Sequence, residues 1–133
     1  MAVVCTEVSL LKDSLAVERY EDKYEFDLPK ELKSFFQENN GGIPKKRVFT
    51  IKGEEYEIRC FLSFNIGEYN SIDLPMQSFQ EETKGKIVPI AKDSGDNYYC
   101  IHVENGKIYY WDKDDNLYYC IAEDFGELIE YLQ

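Results

Sequence analysis

His102 is the only histidine in the chain, and Cys100 lies two residues before it. A thiol beside an imidazole is the arrangement of a cysteine nucleophile and its base. Both fall in a run that reads as a β-strand, where residues two apart are separated by roughly 6.6 Å. That gap is poor for proton transfer, so His102 reads as a structural or partner-facing residue. The four cysteines, at 5, 60, 100 and 120, show no C-x-x-C spacing and no clustering suited to zinc. They read as reduced, small, buried hydrophobes. Residues 112–116, Asp-Lys-Asp-Asp-Asn, resemble the opening of a calcium loop, with Glu123 at its twelfth position. The sixth position holds Leu117 where the sharp turn needs glycine, so an acidic hairpin tip is expected instead. No phosphate-cradling glycine motif, no G-x-S-x-G and no H-E-x-x-H occurs. The reading is therefore of no catalytic residue, no metal ligands and no cofactor.

Tyrosines are the more informative residues. Three Tyr-Tyr pairs, Tyr98-Tyr99, Tyr109-Tyr110 and Tyr118-Tyr119, occupy the last third of the chain. Asn105-Gly106 between hydrophobic runs is a strong hairpin signal. A two-residue loop there predicts Glu104 opposite Lys107, Val103 opposite Ile108, Ile101 opposite Tyr110 and Cys100 opposite Trp111. A turn centred on Asp114-Asp115 predicts Asp112 opposite Leu117, Trp111 opposite Tyr118, Tyr110 opposite Tyr119 and Tyr109 opposite Cys120. Opposed residues share a face. One face collects Tyr99, Ile101, Val103, Ile108, Tyr110, Leu117, Tyr119 and Ile121, and is expected to be core. The other collects Tyr98, Cys100, His102, Tyr109, Trp111, Tyr118 and Cys120. Being aromatic with polar tips, it can face water, a covering loop or a partner. Cys100 and Cys120 then lie two strand spacings apart, roughly 9.6 Å, too far for a disulfide.

Tyr and Trp are favoured at binding hot spots because they bury much area at low entropy cost. Cross-strand aromatic pairs also stabilise sheets, by roughly 0.2–1 kcal/mol each. The ladder can do both. The expected contact set is Tyr98, Tyr109, Trp111 and Tyr118, flanked by Asp93, Asp96, Asp112, Asp114 and Asp115.

The elements that must position these residues read as follows. Residues 11–20 form a first helix, with Asp13 or Ser14 as its cap. Pro29 opens a second, whose stripe is Leu28, Leu32, Phe35 and Phe36 and whose stop is Asn39-Asn40-Gly41-Gly42. A hairpin of residues 47–51 and 55–62 follows around Lys52-Gly53-Glu54. Residues 74–83 form a short helix with Pro75 near its start. Ile87-Val88-Pro89-Ile90-Ala91 reads as an edge strand or a strand end, because proline cannot donate to a ladder. Residues 124–132 close the chain as a helix with Phe125, Leu128, Ile129 and Leu132 on one side.

With 133 residues, 44% hydrophobic and 15% aromatic, the chain is expected to be one folded domain, 1–133, with a core of its own. The order of elements predicts an α+β fold, a mostly antiparallel (mixed) sheet of about five to six strands with helices packed on it. No apolar run approaches the roughly 20 residues that cross a bilayer. Residues 1–9 carry Glu7 and no basic start, so no leader is read and a cytoplasmic location is expected. The net charge is −11. Residues 93–133 hold ten acids and two lysines, a net of −8, leaving −3 for the rest. This disfavours nucleic acid and anionic membrane as partners and fits a basic protein.

The chain also resembles a known family. The residues that carry the likeness are 27–36 (Asp-Leu-Pro-Lys-Glu-Leu-Lys-Ser-Phe-Phe) with Asn40-Gly41-Gly42, then 87–91, then Asp93-Ser94-Gly95-Asp96. Residues 106–112 and 121–129 complete the order. Together they resemble the SUKH superfamily, which includes the yeast cell-wall assembly regulator and many bacterial immunity proteins. The resemblance implies an α+β domain that binds proteins and has no catalysis. On it, the expected function is an immunity protein that neutralises a basic toxin domain, such as a nuclease of a polymorphic or contact-dependent system, by direct binding. A regulatory adaptor for a cellular protein is the alternative, with an enzyme behind both. Of the family's frequent W-D-H ending, Trp111 and Asp112 are kept and Lys113 replaces the histidine. The oligomeric state stays open.

Overall fold

The computed structural model describes residue 3 and residues 5–133; Met1, Ala2 and Val4, within the stretch read for a leader, lie outside the described residues. The elements in chain order are β1 (Cys5–Thr6), α1 (Ala16–Tyr24), α2 (Lys30–Asn39), β2 (Ile43–Pro44), β3 (Val48–Ile51), β4 (Glu54–Glu57) and β5 (Cys60–Phe61). Then come α3 (Asp73–Thr83), β6 (Ile87–Lys92), β7 (Tyr98–His102), β8 (Ile108–Asp112), β9 (Leu117–Ala122) and α4 (Phe125–Tyr131). The main sheet has the order β5-β6-β7-β8-β9 and every pairing in it is antiparallel. β1-β2 and β3-β4 form two small sheets. This is the expected α+β fold, with helices on both sheet faces.

Tertiary hydrogen bonds explain where elements depart from the sequence reading. The first helix begins at Ala16, not at 11. Asn65 captures the preceding strand of chain, taking the Lys12 N–H at 3.0 Å and donating to the Leu10 carbonyl at 3.0 Å. Asp13 then makes the turn, its carboxylate accepting from the Leu15 N–H at 2.9 Å. α2 starts just after Pro29 and buries Leu32 and Phe36 completely. The expected second hairpin strand splits. β4 stops at Glu57, and the chain crosses to the main sheet through Arg59, whose N–H donates to the Lys92 carbonyl at 2.8 Å. Pro89 corrects another expectation, because β6 lies inside the sheet. β5 reaches only Ala91 and Lys92, and the register slips between Pro89 and Ala91. The proline therefore sits at a bulge beyond the end of its short neighbour, where a missing N–H is tolerated.

The Asn105-Gly106 connection is wider than expected. Tyr99 opposes Tyr110, Cys100 opposes Tyr109 and Ile101 opposes Ile108, a slip of two residues from the two-residue-loop register. Such a loop, of type I′ or II′, needs positive φ at its first central residue; here Gly106 has φ 76° and Asn105 has no positive φ. The Gly106 N–H instead reaches the His102 carbonyl at 2.7 Å, and Val103 donates to the Lys86 carbonyl at 2.9 Å. A slip of two keeps every side chain on its face, whereas a slip of one would invert them all. The faces read from the sequence therefore survive the wrong register. The second hairpin has the expected register, from Asp112–Leu117 to Tyr109–Cys120.

Glycine is required at 41 and 42, just after α2, for two different reasons. Gly41 takes φ +67°, and a Cβ on Gly42 would meet the Cys5 Cβ at 2.7 Å and the Asn39 carbonyl at 3.0 Å. Gly42→Ala should destabilise the protein by about 1–3 kcal/mol through overpacking. Urea denaturation measures this, and an unchanged midpoint would show that the β1 segment moves aside freely.

Candidate functional site

The β3–β4 hairpin stands against the main sheet and is tied to it by polar bonds. The Tyr99 hydroxyl donates to the Glu57 carbonyl at 2.7 Å. The Glu57 carboxylate accepts from the Ser94 N–H and hydroxyl at 2.9 and 2.7 Å. Asp93 organises the loop between β6 and β7. Its carboxylate accepts from Gly95 and Asn97 N–H groups and from the Tyr110 hydroxyl, the last at 2.7 Å. Tyr56 meets Tyr110 edge to face at 5.5 Å between centroids.

Between hairpin and sheet lies a cleft of about 550 Å³, lined by Glu54, Glu55, Tyr56, Glu57, Asp93, Tyr99, Tyr110, Asp112 and Tyr119. Five of these are acids and none is a cation. Carboxylates gathered around tyrosine rings give a surface complementary to lysine or arginine side chains.

The expected contact residues fall into two groups on opposite sides of the sheet. Asp93 and Asp112 line the cleft. Asp115 lies at the adjoining tip, its carboxylate accepting from the Leu117 N–H at 3.0 Å and the Tyr119 hydroxyl at 2.9 Å. Asp114 is exposed at the same tip, and Asp96 pairs with Lys92 at 3.5 Å. The aromatic members lie on the other face, beneath α3. Phe79 packs edge-on against Tyr98, Trp111 and Tyr118, with centroids 6.0, 5.3 and 6.4 Å away. Tyr98 and Trp111 are partly buried there and border a hollow of about 190 Å³ with Leu74, Pro75 and Phe79. Tyr109 is half-buried beside His102, with ring centroids 6.4 Å apart.

The sequence reading missed Glu54, Glu55, Tyr56 and Glu57 as cleft residues. The available signal was a four-residue strand carrying three carboxylates, which a core could not absorb. The reading also placed Tyr119 and Leu117 in the core, and they are 42% and 52% exposed. β9 is the sheet's last strand, so Tyr119 lies at the open end of the cross-strand row Tyr99–Tyr110–Tyr119, whose inner member Tyr99 is fully buried. Cys120 is likewise exposed, against the expectation of buried thiols, while Cys60 and Cys100 are buried and Cys5 is half-buried. Burial pushes the Cys100 thiol well up. The His102 Nδ1 accepts from the Glu104 N–H at 3.2 Å. Tyr109 stands between Cys100 and Cys120 in the register. Among the described residues, no three His, Cys, Asp or Glu are grouped to hold a metal, and no helix is long and apolar enough to cross a membrane.

Burial, with the neighbouring Asp93 charge, pushes the Tyr99 and Tyr110 phenols well above tyrosine's ordinary range. Burial also pushes Tyr118 up to about 12. In the unfolded chain these groups ionise near 10. Above about pH 10 the folded state thus holds more protons than the unfolded state, and stability falls as pH rises; below that it is unaffected. Denaturation midpoints against pH should drop above about 10. Absorbance at 295 nm should show a late-titrating tyrosine class in the folded protein. A midpoint flat well beyond that pH would remove the buried-phenol assignment.

Residues 13–131 match the family model described as the SMI1/KNR4 family (SUKH-1). The chain is also similar to the SPbeta prophage-derived uncharacterized protein YokK of Bacillus subtilis (strain 168), with 30% identity over 66 residues. The aligned stretch covers 47% of this chain and 34% of that protein, about a third of its length.

Proposed function

The chain belongs to the SMI1/KNR4 (SUKH-1) family, and from that premise we propose that it is an immunity protein, which neutralises a bacterial toxin domain by binding it directly. Membership itself supports protein binding of the immunity or SMI1/KNR4 kind, in a family that is generally non-catalytic. The observation that carries the finer reading is the cleft between hairpin and sheet, with five acids, four tyrosines and no cation. A basic toxin domain, such as a nuclease of a polymorphic or contact-dependent system, is the partner with matching charge. The chain works as a cytoplasmic, non-catalytic binder, with no cofactor and no nucleic-acid or membrane contact of its own.

The proposed contact surface is the acid rim of Asp93, Asp96, Asp112, Asp114 and Asp115, extended by the cleft. Tyr98, Tyr109, Trp111 and Tyr118 contribute from the α3 side, where Tyr98 and Trp111 remain partly open. The test is co-purification of the tagged chain with the protein encoded by the adjacent gene, followed by expression of that protein with and without the chain. Growth arrest relieved by the chain supports toxin neutralisation. Capture of a cellular protein with no relief of toxicity favours the regulatory-adaptor reading and overturns the immunity one.

A further inference from the structure

The two edges of the main sheet are treated differently. β5 has two residues, both buried, and its outer side is closed when the Phe61 N–H donates to the Gly42 carbonyl at 2.9 Å. β9 has six residues, Leu-Tyr-Tyr-Cys-Ile-Ala, and among the described residues no strand pairs with its outer side. It carries no charge, lysine or proline, the usual devices that blunt an edge. Its one protection is a bulge opposite Ile108–Tyr109. Leu117, Tyr119 and Cys120 are exposed along it.

A groove of about 620 Å³ runs beside this edge. Residues of both alternations of β9, Tyr118 and Cys120 as well as Tyr119 and Ile121, border it, which places it at the strand's open side. Glu54, Glu123 and Glu127 with Tyr56 and Tyr131 also border it, and Lys52 is its one cation. Glu123 is held 4.0 Å from Lys107.

We infer that β9 is a docking edge, which takes an extended segment of the partner protein as a sixth strand with lysine or arginine at alternate positions. This rests on the reading of a basic protein partner and names how that partner is held. Strand addition satisfies the open backbone groups of β9. Alternate side chains of a strand lying roughly 4.8 Å outside β9 share one face, where the acids bordering the groove can meet them. A second copy of this chain is the wrong occupant. Two-fold pairing centred on β9 sets Asp115 of one copy opposite Asp124 of the other, and each copy carries −11. The acids at both ends of β9 thus oppose self-association and select a basic strand.

The test uses the full chain and a capped eight-residue peptide of alternating lysine and valine. A second peptide carries N-methyl groups on its four central residues, which blocks both edges. At low salt, the first peptide should slow hydrogen exchange of outward amides in residues 117–122 by about tenfold, and methylation should weaken binding by about tenfold or more. Binding insensitive to methylation, or slowed amides elsewhere, overturns the added strand and leaves charge-guided binding of a basic protein standing. Failure of the unmethylated peptide to bind also overturns it. The co-purification experiment, which does not involve these peptides, decides the broader reading.

Discussion

Replacing Phe36 by alanine should destabilise the protein by about 3–5 kcal/mol, a large share of the 5–15 kcal/mol typical of a whole domain. Phe36 is fully buried on α2. Its ring meets Phe64 edge-on at 4.9 Å, Phe35 at 5.7 Å and Phe61 at 6.3 Å. Phe61 belongs to β5, and Phe64 touches Tyr20 of α1 at 5.5 Å, so one ring joins both helices to the sheet edge. Phe61 and Phe64 lie outside α2 and cannot collapse with it into the space left, which places the loss at the upper end of core truncations. Phe36→Leu keeps much of the volume and should cost less than about 1.5 kcal/mol. Urea denaturation of both variants measures the difference. A loss below about 1 kcal/mol for the alanine would show that α2 shifts to refill the site.

Reversing Glu54, Glu55 and Asp114 to lysine together should slow association with the proposed basic partner by about tenfold or more at low salt. The choice follows from what the acids of this surface do. Asp112 and Asp115 hold the hairpin tip, accepting from the Asp114 and Leu117 N–H groups at 2.9 and 3.0 Å. Asp93 holds its loop and Tyr110. Reversing any of these would disturb folding and charge at once. Glu54 and Glu55 are exposed in the short β4 strand and Asp114 is exposed at the tip. The variant moves net charge from −11 to −5, since each reversal changes it by two. The effect should lie mainly in the association rate and shrink as salt rises, because exposed charges beyond a Debye length, roughly 10 Å at 0.1 M, are screened. Stopped-flow binding of the co-purified partner measures it. Equal association rates at low salt would remove electrostatic steering from the function.

Much of the fold is legible in the sequence because the signals are local. Pro29, the Leu28–Phe36 stripe and the paired glycines mark α2 to within a residue or two. The closing helix read from Asp124 starts one residue later, at Phe125, and Asp124 is its cap, with its carboxylate accepting from the Glu127 N–H at 2.8 Å. The start of α1 was not legible, because Asn65, 53 residues away, pulls Lys12 out of helical geometry. The acids of the candidate site were legible as a charge imbalance. Their meeting with Glu54–Glu57 was not, since it depends on how the β3–β4 hairpin docks.

The tyrosine pairs mark this boundary most clearly. Alternation along a strand is a local property, and by itself the sequence determined that Tyr99 and Tyr110 share one face while Tyr98, Trp111 and Tyr118 share the other. It determined this even with the Asn105-Gly106 register two residues out, because a slip of two preserves alternation. Only the tertiary structure decided what covers each face. α3 brings Phe79 over Trp111, the hairpin brings Tyr56 to Tyr110, and nothing among the described residues pairs with the outer side of β9. Burial is set by elements distant in sequence, whose docking is a balance over the whole core. The strand's own pattern carries no record of it.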